Sequence, residues 1–351
     1  MWHGCAPAYA ADMADRENLQ IRLASRPLGW PTAENFAIQP APVPVPNDGQ
    51  VLISTRYLSL DPYMRGRMSD APSYAPPVAV GGLMVGGTVG EVVESRDPGL
   101  KPGDVVLAYT GWQKYGVQRA ATVRKLDPSV APVTTALGVL GMPGFTAYAG
   151  LTQIGRPQVG ETVVVAAASG PVGATVGQLA RIFGARAVGI AGGPKKVAYL
   201  RSIGFDEAVD HRAEDFAAQL AAATPDGIDV YFENVGGHVW NAVFPLLNDF
   251  ARIPVCGLVA LYNLATSPGG PDRTAALMSA ILRKRLTLRG FIQTEFVAEL
   301  MDEFLSSATA WVREGSLKYR EDVVDGLENA PAAFIGMLEG KNFGKLLIRV
   351  S

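Results

Sequence analysis

Val163-Val164-Val165-Ala166-Ala167-Ala168-Ser169-Gly170-Pro171-Val172-Gly173 is an apolar run that closes in small residues, and from Ala174 to Phe183 apolar side chains return at helical spacing. The order is strand, tight turn, helix. A second apolar run, Ala187-Val188-Gly189-Ile190, follows at the distance expected of a βαβ unit. Such a turn brings backbone amides and the positive end of a helix against a pyrophosphate. Ala168 stands where the full glycine fingerprint has its first glycine, so the turn alone is a weak signal and the flanking strand and helix carry the reading.

The second strand ends in Ala191-Gly192-Gly193, where a site for NAD carries an Asp or Glu for the ribose 2′-hydroxyl. Here no acidic side chain stands, and Lys195 and Lys196 follow. Ammonium groups attract a 2′-phosphate dianion that a carboxylate would repel, so the expected cofactor is NADP(H).

Outward from this unit, Leu137 to about Val312 alternates short apolar strands with longer helical segments, as a parallel doubly wound sheet does. Residues from about Leu19 to Leu137 read as short strands punctuated by Pro40-Ala41-Pro42, Asn47-Asp48-Gly49, Asp97-Pro98-Gly99 and Lys101-Pro102-Gly103-Asp104, an antiparallel region rich in turns. A helix over about 294–314 and a terminal strand in Asn342–Val350 complete the pattern. The predicted fold class is α/β. The expected division is 18–138 with 316–351 as a mostly-β domain and 139–315 as the nucleotide domain inserted in it. Residues 1–17 read as an extension without order, with Met13 a candidate start.

The chain has 351 residues, 48% hydrophobic and 18% charged, and a net charge of −2. No basic run points to nucleic acid or an anionic membrane, and no apolar stretch is long enough to span a bilayer. Residues Met1–Asp12 lack the pattern of a secretory signal, so a cytoplasmic location is expected. Two cysteines, Cys5 and Cys256, and three histidines, His3, His211 and His238, show no metal-ligand spacing, so no metal is expected. Cys256 reads as a small core residue.

The chain resembles the zinc-independent medium-chain dehydrogenases/reductases, in the branch of prostaglandin, curcumin and alkenal double-bond reductases, from about Asn18 to Val350. The resemblance rests on Arg26–Pro31, on Leu58-Ser59-Leu60-Asp61-Pro62-Tyr63-Met64-Arg65-Gly66-Arg67-Met68, and on Gly141–Tyr148 with the glycine turn. It also rests on Phe232–Gly237, Tyr262-Asn263, Leu288–Phe291 and Asn342-Phe343-Gly344-Lys345. It implies a GroES-like domain beside a Rossmann domain, a homodimer formed through the nucleotide domains, and NADPH-dependent reduction of the C=C bond of an α,β-unsaturated ketone or aldehyde. Hydride would go to the β-carbon and negative charge to the carbonyl oxygen.

On that resemblance Tyr262, after the apolar run ending at Leu261, is the first candidate catalytic hydroxyl and Tyr63 the second. Tyr262 also reads as a packed loop tyrosine, and Asp61-Pro62 as the start of a short helix that explains its segment structurally. The expected cofactor contacts are Met142, Ser169, Gly170, Pro171, Val172, Gly173, Gly192, Lys196, His211, Asn234, Tyr262 and Asn342. Lys196 matches the family's 2′-phosphate lysine. Gly193-Pro194-Lys195 departs from the usual serine-and-acidic spacing, and His211 stands where relatives carry a tyrosine; a surface strand-end cap explains it equally well. Asn234 and Asn342 also read as turn residues. Tyr57, Tyr74, Trp112 and Tyr115 read either as walls of a substrate pocket or as packing. Oxidation of an allylic or secondary alcohol, reduction of a quinone, and cofactor binding without turnover remain the alternatives.

Overall fold

The computed structural model describes residues 17–266 and 272–350. The reading of the N-terminal extension therefore falls, Glu17 apart, outside the described residues. Along the chain run β1 (Glu17–Leu23), β2 (Phe36–Pro42), β3 (Gln50–Ser59), α1 (Tyr63–Arg67), β4 (Thr88–Ser95), β5 (Val105–Ala108), β6 (Tyr115–Arg119) and β7 (Arg124–Lys125). After α2 (Met142–Ala149) come β8 (Thr162–Val165), α3 (Pro171–Ile182), β9 (Arg186–Ala191), α4 (Pro194–Ser202), β10 (Glu207–Asp210), α5 (Phe216–Ala223) and β11 (Ile228–Phe232). Next are α6 (Gly237–Val243), β12 (Leu247–Val255), α7 (Thr274–Lys284), β13 (Thr287–Gly290) and α8 (Val297–Glu314). The chain closes with β14 (Glu321–Asp325), α9 (Ala330–Leu338) and β15 (Lys345–Arg349).

Contacts divide the chain into two compact units: the residues up to Leu137 with Val323–Glu339 and those from Leu346 on, and Gly138–Asp322 with Gly340–Lys345. In the first unit β1 and β2 form an antiparallel pair, and a seven-stranded sheet runs β14-β15-β3-β4-β5-β7 with β6 on β3. Its main core gathers β1, α1 and α9 around Trp112, which stacks on Phe36 at 5.7 Å and meets Phe334 edge-on.

The second unit is a six-stranded parallel sheet in the order β10-β9-β8-β11-β12-β13. The central strand β8 is buried at every position, as a strand covered on both faces is, whereas the edge strand β13 is mostly exposed. The strand order reverses between β8 and β11, where Phe232 lies opposite Val165. Ligands of open parallel sheets bind at the carboxyl ends of strands flanking such a reversal.

Relative to the sequence-derived boundaries, the first junction lies at Leu137/Gly138 and the second at Asp322/Val323. The segment after α8 stays with the second unit because Gln178 on α3 both donates to the Lys318 carbonyl and accepts from its amide. Residues 340–345 join it too. Tyr199 on α4 meets Phe343 edge-on at 5.0 Å, and the Phe343 amide donates to Asp322.

Candidate active site

The turn after β8 is held by the Gly170 amide on the Ala167 carbonyl and the Ala168 amide on the Ile190 carbonyl of β9. Ala167 sits at φ 51°, the left-handed region that costs a residue with a side chain about 1 kcal/mol or more. Gly173 is the position that cannot change: a Cβ there would lie 2.6 Å from the Ala167 carbonyl oxygen. Gly170 has more room. Pro171 takes the first helical position, and Val172 and Gly173 follow in the first turn of α3, where backbone amides lack helical partners. Ser169, also in this turn, is buried. The other wall of the strand reversal is the turn after β11, and Asn234 joins the two by donating its side-chain amide to the Ala166 carbonyl at 2.9 Å.

That second turn is organised by a buried carboxylate. Glu233 Oε1 accepts from the Tyr231 hydroxyl at 3.0 Å and from the amides of Val235 and Gly236 at 2.6 and 2.9 Å. Burial raises its pKa against those hydrogen bonds. The backbone of Glu233-Asn234-Val235 accepts in turn from the amides of Cys256, Gly257, Val259 and Ala260, which hangs the loop carrying Tyr262 on the same support. The Tyr262 hydroxyl accepts from the Leu258 amide at 3.4 Å, and a Cβ at Gly257 would stand 3.1 Å from it. Cys256 is half-buried, and burial with the Glu233 charge pushes its thiol up to about 12, so it is no neutral-pH nucleophile.

Around Gly192, at the end of β9, cationic side chains converge. A Cβ on Gly192 would lie 2.8 Å from both Arg212 Nε and His211 Nε2. Lys196 Nζ donates to the Gly340 carbonyl at 2.8 Å, and burial and Arg212 lower its pKa. A Cβ on Gly340 would stand 3.7 Å from Arg212 Nη2. Lys195 is exposed. Asp210 is nearby, but its Oδ1 is turned to the backbone amides of Gly193 and Arg212, at 2.9 Å each. His211 Nδ1 lies 3.2 Å from His238 Nε2. Arg212 and His238 escaped the sequence reading because one lies beyond β10 and the other on α6, joined to Gly192 only by the packing of parallel strands.

Of the remaining expected contacts, Met142 opens α2 behind Gly141, its carbonyl accepting from Thr146 at 2.7 Å. The Asn342 amide donates to the Gly344 carbonyl at 2.9 Å, which is turn chemistry. A shallow pocket lined by Ser169, Gly170, Pro171, Tyr199, Lys318 and Arg320 lies beside the glycine turn within the second unit.

Tyr63 belongs to the first unit, where it opens α1 behind Pro62. Asp61 lies just before, its carboxylate accepting from the Ser59 hydroxyl. Burial, reinforced by Asp61, holds the Tyr63 phenol well above its ordinary pKa, so it stays a neutral donor. The two arginines of α1 fix flanking loops: Arg65 donates to the Gly29 carbonyl at 2.7 Å, and Arg67 bonds the Ala75 carbonyl and stacks on Tyr74. Trp112 is fully buried core rather than a pocket wall, Tyr74 is exposed, and Tyr57 and Tyr115 are half-buried.

The chain matches the family model for the N-terminal domain of oxidoreductase over residues 19–126 and that for zinc-binding dehydrogenase over 171–308. Among the described residues no group of three or more His, Cys, Asp or Glu side chains is placed to hold a metal ion. The chain is 56% identical over 337 residues to the NADPH-dependent curcumin reductase of Escherichia coli (strain K12), covering 96% of this chain and 98% of the relative. It is 39% identical to the 2-alkenal reductase (NADP(+)-dependent) of Nicotiana tabacum, covering 95% and 98%. The crystal structure of CurA in complex with NADPH from Vibrio vulnificus matches with a TM-score of 0.92 at 52% identity, covering 95% and 99%. Two domain matches in the order the fold requires, with such identity over nearly the whole length, show that the chain belongs to the medium-chain dehydrogenase/reductase family, in the branch that holds the curcumin and 2-alkenal reductases.

Proposed function

We propose that the protein is an NADPH-dependent reductase of the carbon–carbon double bond of α,β-unsaturated ketones and aldehydes, working without zinc. The observation that carries this reading is the cradle at Gly192, where Arg212, His211 and Lys196 gather while the Asp210 carboxylate is occupied by backbone amides. Those residues fit a 2′-phosphate: a side chain at Gly192 would fill the cradle, and the donors present are cationic or convertible to cations. The relatives named for NADPH-dependent reduction of curcumin and alkenals support the same cofactor and substrate class.

NADPH, when bound, supplies a hydride. In this reading the amides of Val172 and Gly173 hold pyrophosphate charge at the start of α3, beside Ser169, Gly170 and Pro171. Lys196, Arg212 and His211 hold the 2′-phosphate, and Asn234, Met142 and Asn342 line the remaining cofactor contacts. The Tyr262 hydroxyl, oriented by the Leu258 amide, donates to the substrate's carbonyl oxygen as negative charge develops there. Tyr63, its phenol kept neutral by burial, is proposed as the second candidate for that hydroxyl.

The protein is proposed to act in the cytoplasm as a homodimer formed through the second unit. No helix of the described residues is long and apolar enough to cross a membrane. β13 closes the parallel sheet as an unpaired edge, and on α7 Met278 and Leu282 are 60% and 79% exposed. Light scattering on the eluting protein tests the dimer.

The function is tested by a product-identified panel. NADPH consumption with a small enone, yielding a ketone two mass units heavier, is the expected result. Consumption with quinones or a carbonyl-to-alcohol product instead, or none with any acceptor, overturns it.

A further inference from the structure

At the Gly192 cradle, two imidazoles stand where one would complete a binding surface. His211 presents Nε2 to the space above Gly192 and gives Nδ1 to His238 Nε2 at 3.2 Å, the ring centroids 5.2 Å apart. Phe216 on α5 packs edge-on against His238 at 6.1 Å and fixes its ring. Uncharged, the pair holds one hydrogen between the facing nitrogens, and the donor determines the chemistry. If His211 donates, its Nε2 is a lone-pair acceptor aimed at the cradle, hostile to a phosphate. With His238 donating, His211 Nε2 carries hydrogen and faces the cradle as a donor. One added proton makes both nitrogens of His211 donors and adds a positive charge beside Arg212.

We propose that the His211–His238 pair is a proton-linked selector for the 2′-phosphate: the pair takes up a proton as the dianion docks, so affinity for NADPH gains over that for NADH as pH falls. His238 is the positioning residue, acting through His211. The charged and titratable groups facing His211 are Arg212 beside it, Asp210 at the end of β10 and His238 on α6; Arg212 also lowers the pKa of Lys196 on α4. Burial, His238 and Arg212 together lower the pKa of His211, outweighing Asp210. His211 therefore rests uncharged at neutral pH, and an arriving dianion is what makes the added proton favourable. This inference rests on the phosphate cradle of the preceding section.

The test is calorimetry of NADPH and NADH binding to the full chain, in two buffers of different ionisation enthalpy, across pH 6.5–8.5. Proton release from the ligand's own phosphate is common to every variant and cancels on comparison. NADPH binding should take up a fraction of a proton more in wild type than in His211→Gln. The wild-type NADPH-to-NADH affinity ratio should rise about tenfold relative to that variant over a one-unit pKa change. His238→Phe, which keeps a ring against Phe216, should raise the midpoint of the His211 imidazole resonance in the unliganded protein. Equal proton uptake in wild type and His211→Gln, or a midpoint unmoved by His238→Phe, overturns the selector. The cradle itself fails by a different result, a Lys196→Ala or Arg212→Gln chain that loses NADPH and NADH equally.

Discussion

Asn234 reaches across the strand reversal to the Ala166 carbonyl, so one 2.9 Å hydrogen bond ties the turn after β11 to the turn after β8. Both turns lie at the carboxyl end of the sheet, and the bond holds the gap between them constant. Asn234→Ala removes the bond and leaves the buried Ala166 carbonyl unmatched, at a cost of about 1–3 kcal/mol. Denaturant unfolding should show that loss together with weaker binding of NADPH and NADH alike. A variant as stable as wild type with unchanged affinity would mean the bond supports neither.

The Tyr262 hydroxyl accepts from the Leu258 amide of its own loop, which orients the phenol. Tyr262→Phe should lower kcat about a hundredfold, the scale for loss of one donor to a developing oxyanion, with NADPH affinity nearly unchanged. Tyr63→Phe should fall in kcat by less. Steady-state kinetics on an enone, with the saturated product identified, reads both; a Tyr262→Phe enzyme at wild-type rate removes the assignment.

Glu233 supplies a pH dependence. Its folded pKa is raised above the unfolded 4.5, so the folded chain binds more protons and the ionised form counts against folding as pH rises above that value. Glu233→Gln keeps an oxygen for Tyr231, Val235 and Gly236 but removes the charge. Its melting temperature relative to wild type should therefore climb between pH 4.5 and 8. Glu233→Ala, which strands three donors, should lose about 2–4 kcal/mol at any pH. A pH-independent difference between the Gln variant and wild type would contradict the buried charge.

Gly173→Ala tests the close approach of α3 to its strand. The new Cβ would meet backbone, the Ala167 carbonyl oxygen at 2.6 Å and Ala168 Cα at 2.7 Å, and backbone yields little. Destabilisation of about 1–3 kcal/mol follows from overpacking, together with weaker NADPH binding. Gly170→Ala, where the nearest such atom is 3.3 Å away, should be milder, and calorimetry that ranks the two in the opposite order would refute the packing argument.

What the sequence made legible was local. The run from Val163 to Lys196 carries strand, turn, helix and strand in its periodicity, and the parallel sheet follows from repeating that unit. The glycines of the turn are visible, but which of them is indispensable is not, because the obstacle at Gly173 is the backbone of Ala167. Lys196 could be named from its neighbours in the chain; Arg212 could not, since the packing of β10 beside β9 brings it to Gly192. Glu233 lies inside the Phe232–Gly237 motif, where the sequence gives it no role, and only its three hydrogen bonds reveal that it supports the turn. The attachment of residues 340–345 to the second unit was hidden for the same reason: its basis is the ring of Phe343 on Tyr199 and the carbonyl of Gly340 on Lys196.

β15, formed by Lys345–Arg349, does not lie at the rim of the seven-stranded sheet but between β14 and β3, with Leu347, Ile348 and Arg349 paired to Ser59, Leu58 and Tyr57. During synthesis the sheet of the first unit therefore lacks the strand between β14 and β3 until residues 345–349 have left the ribosome. Every strand of the parallel sheet, down to β13 at Gly290, has by then emerged, so the sheet of the second unit has all its strands before the sheet of the unit that was translated first.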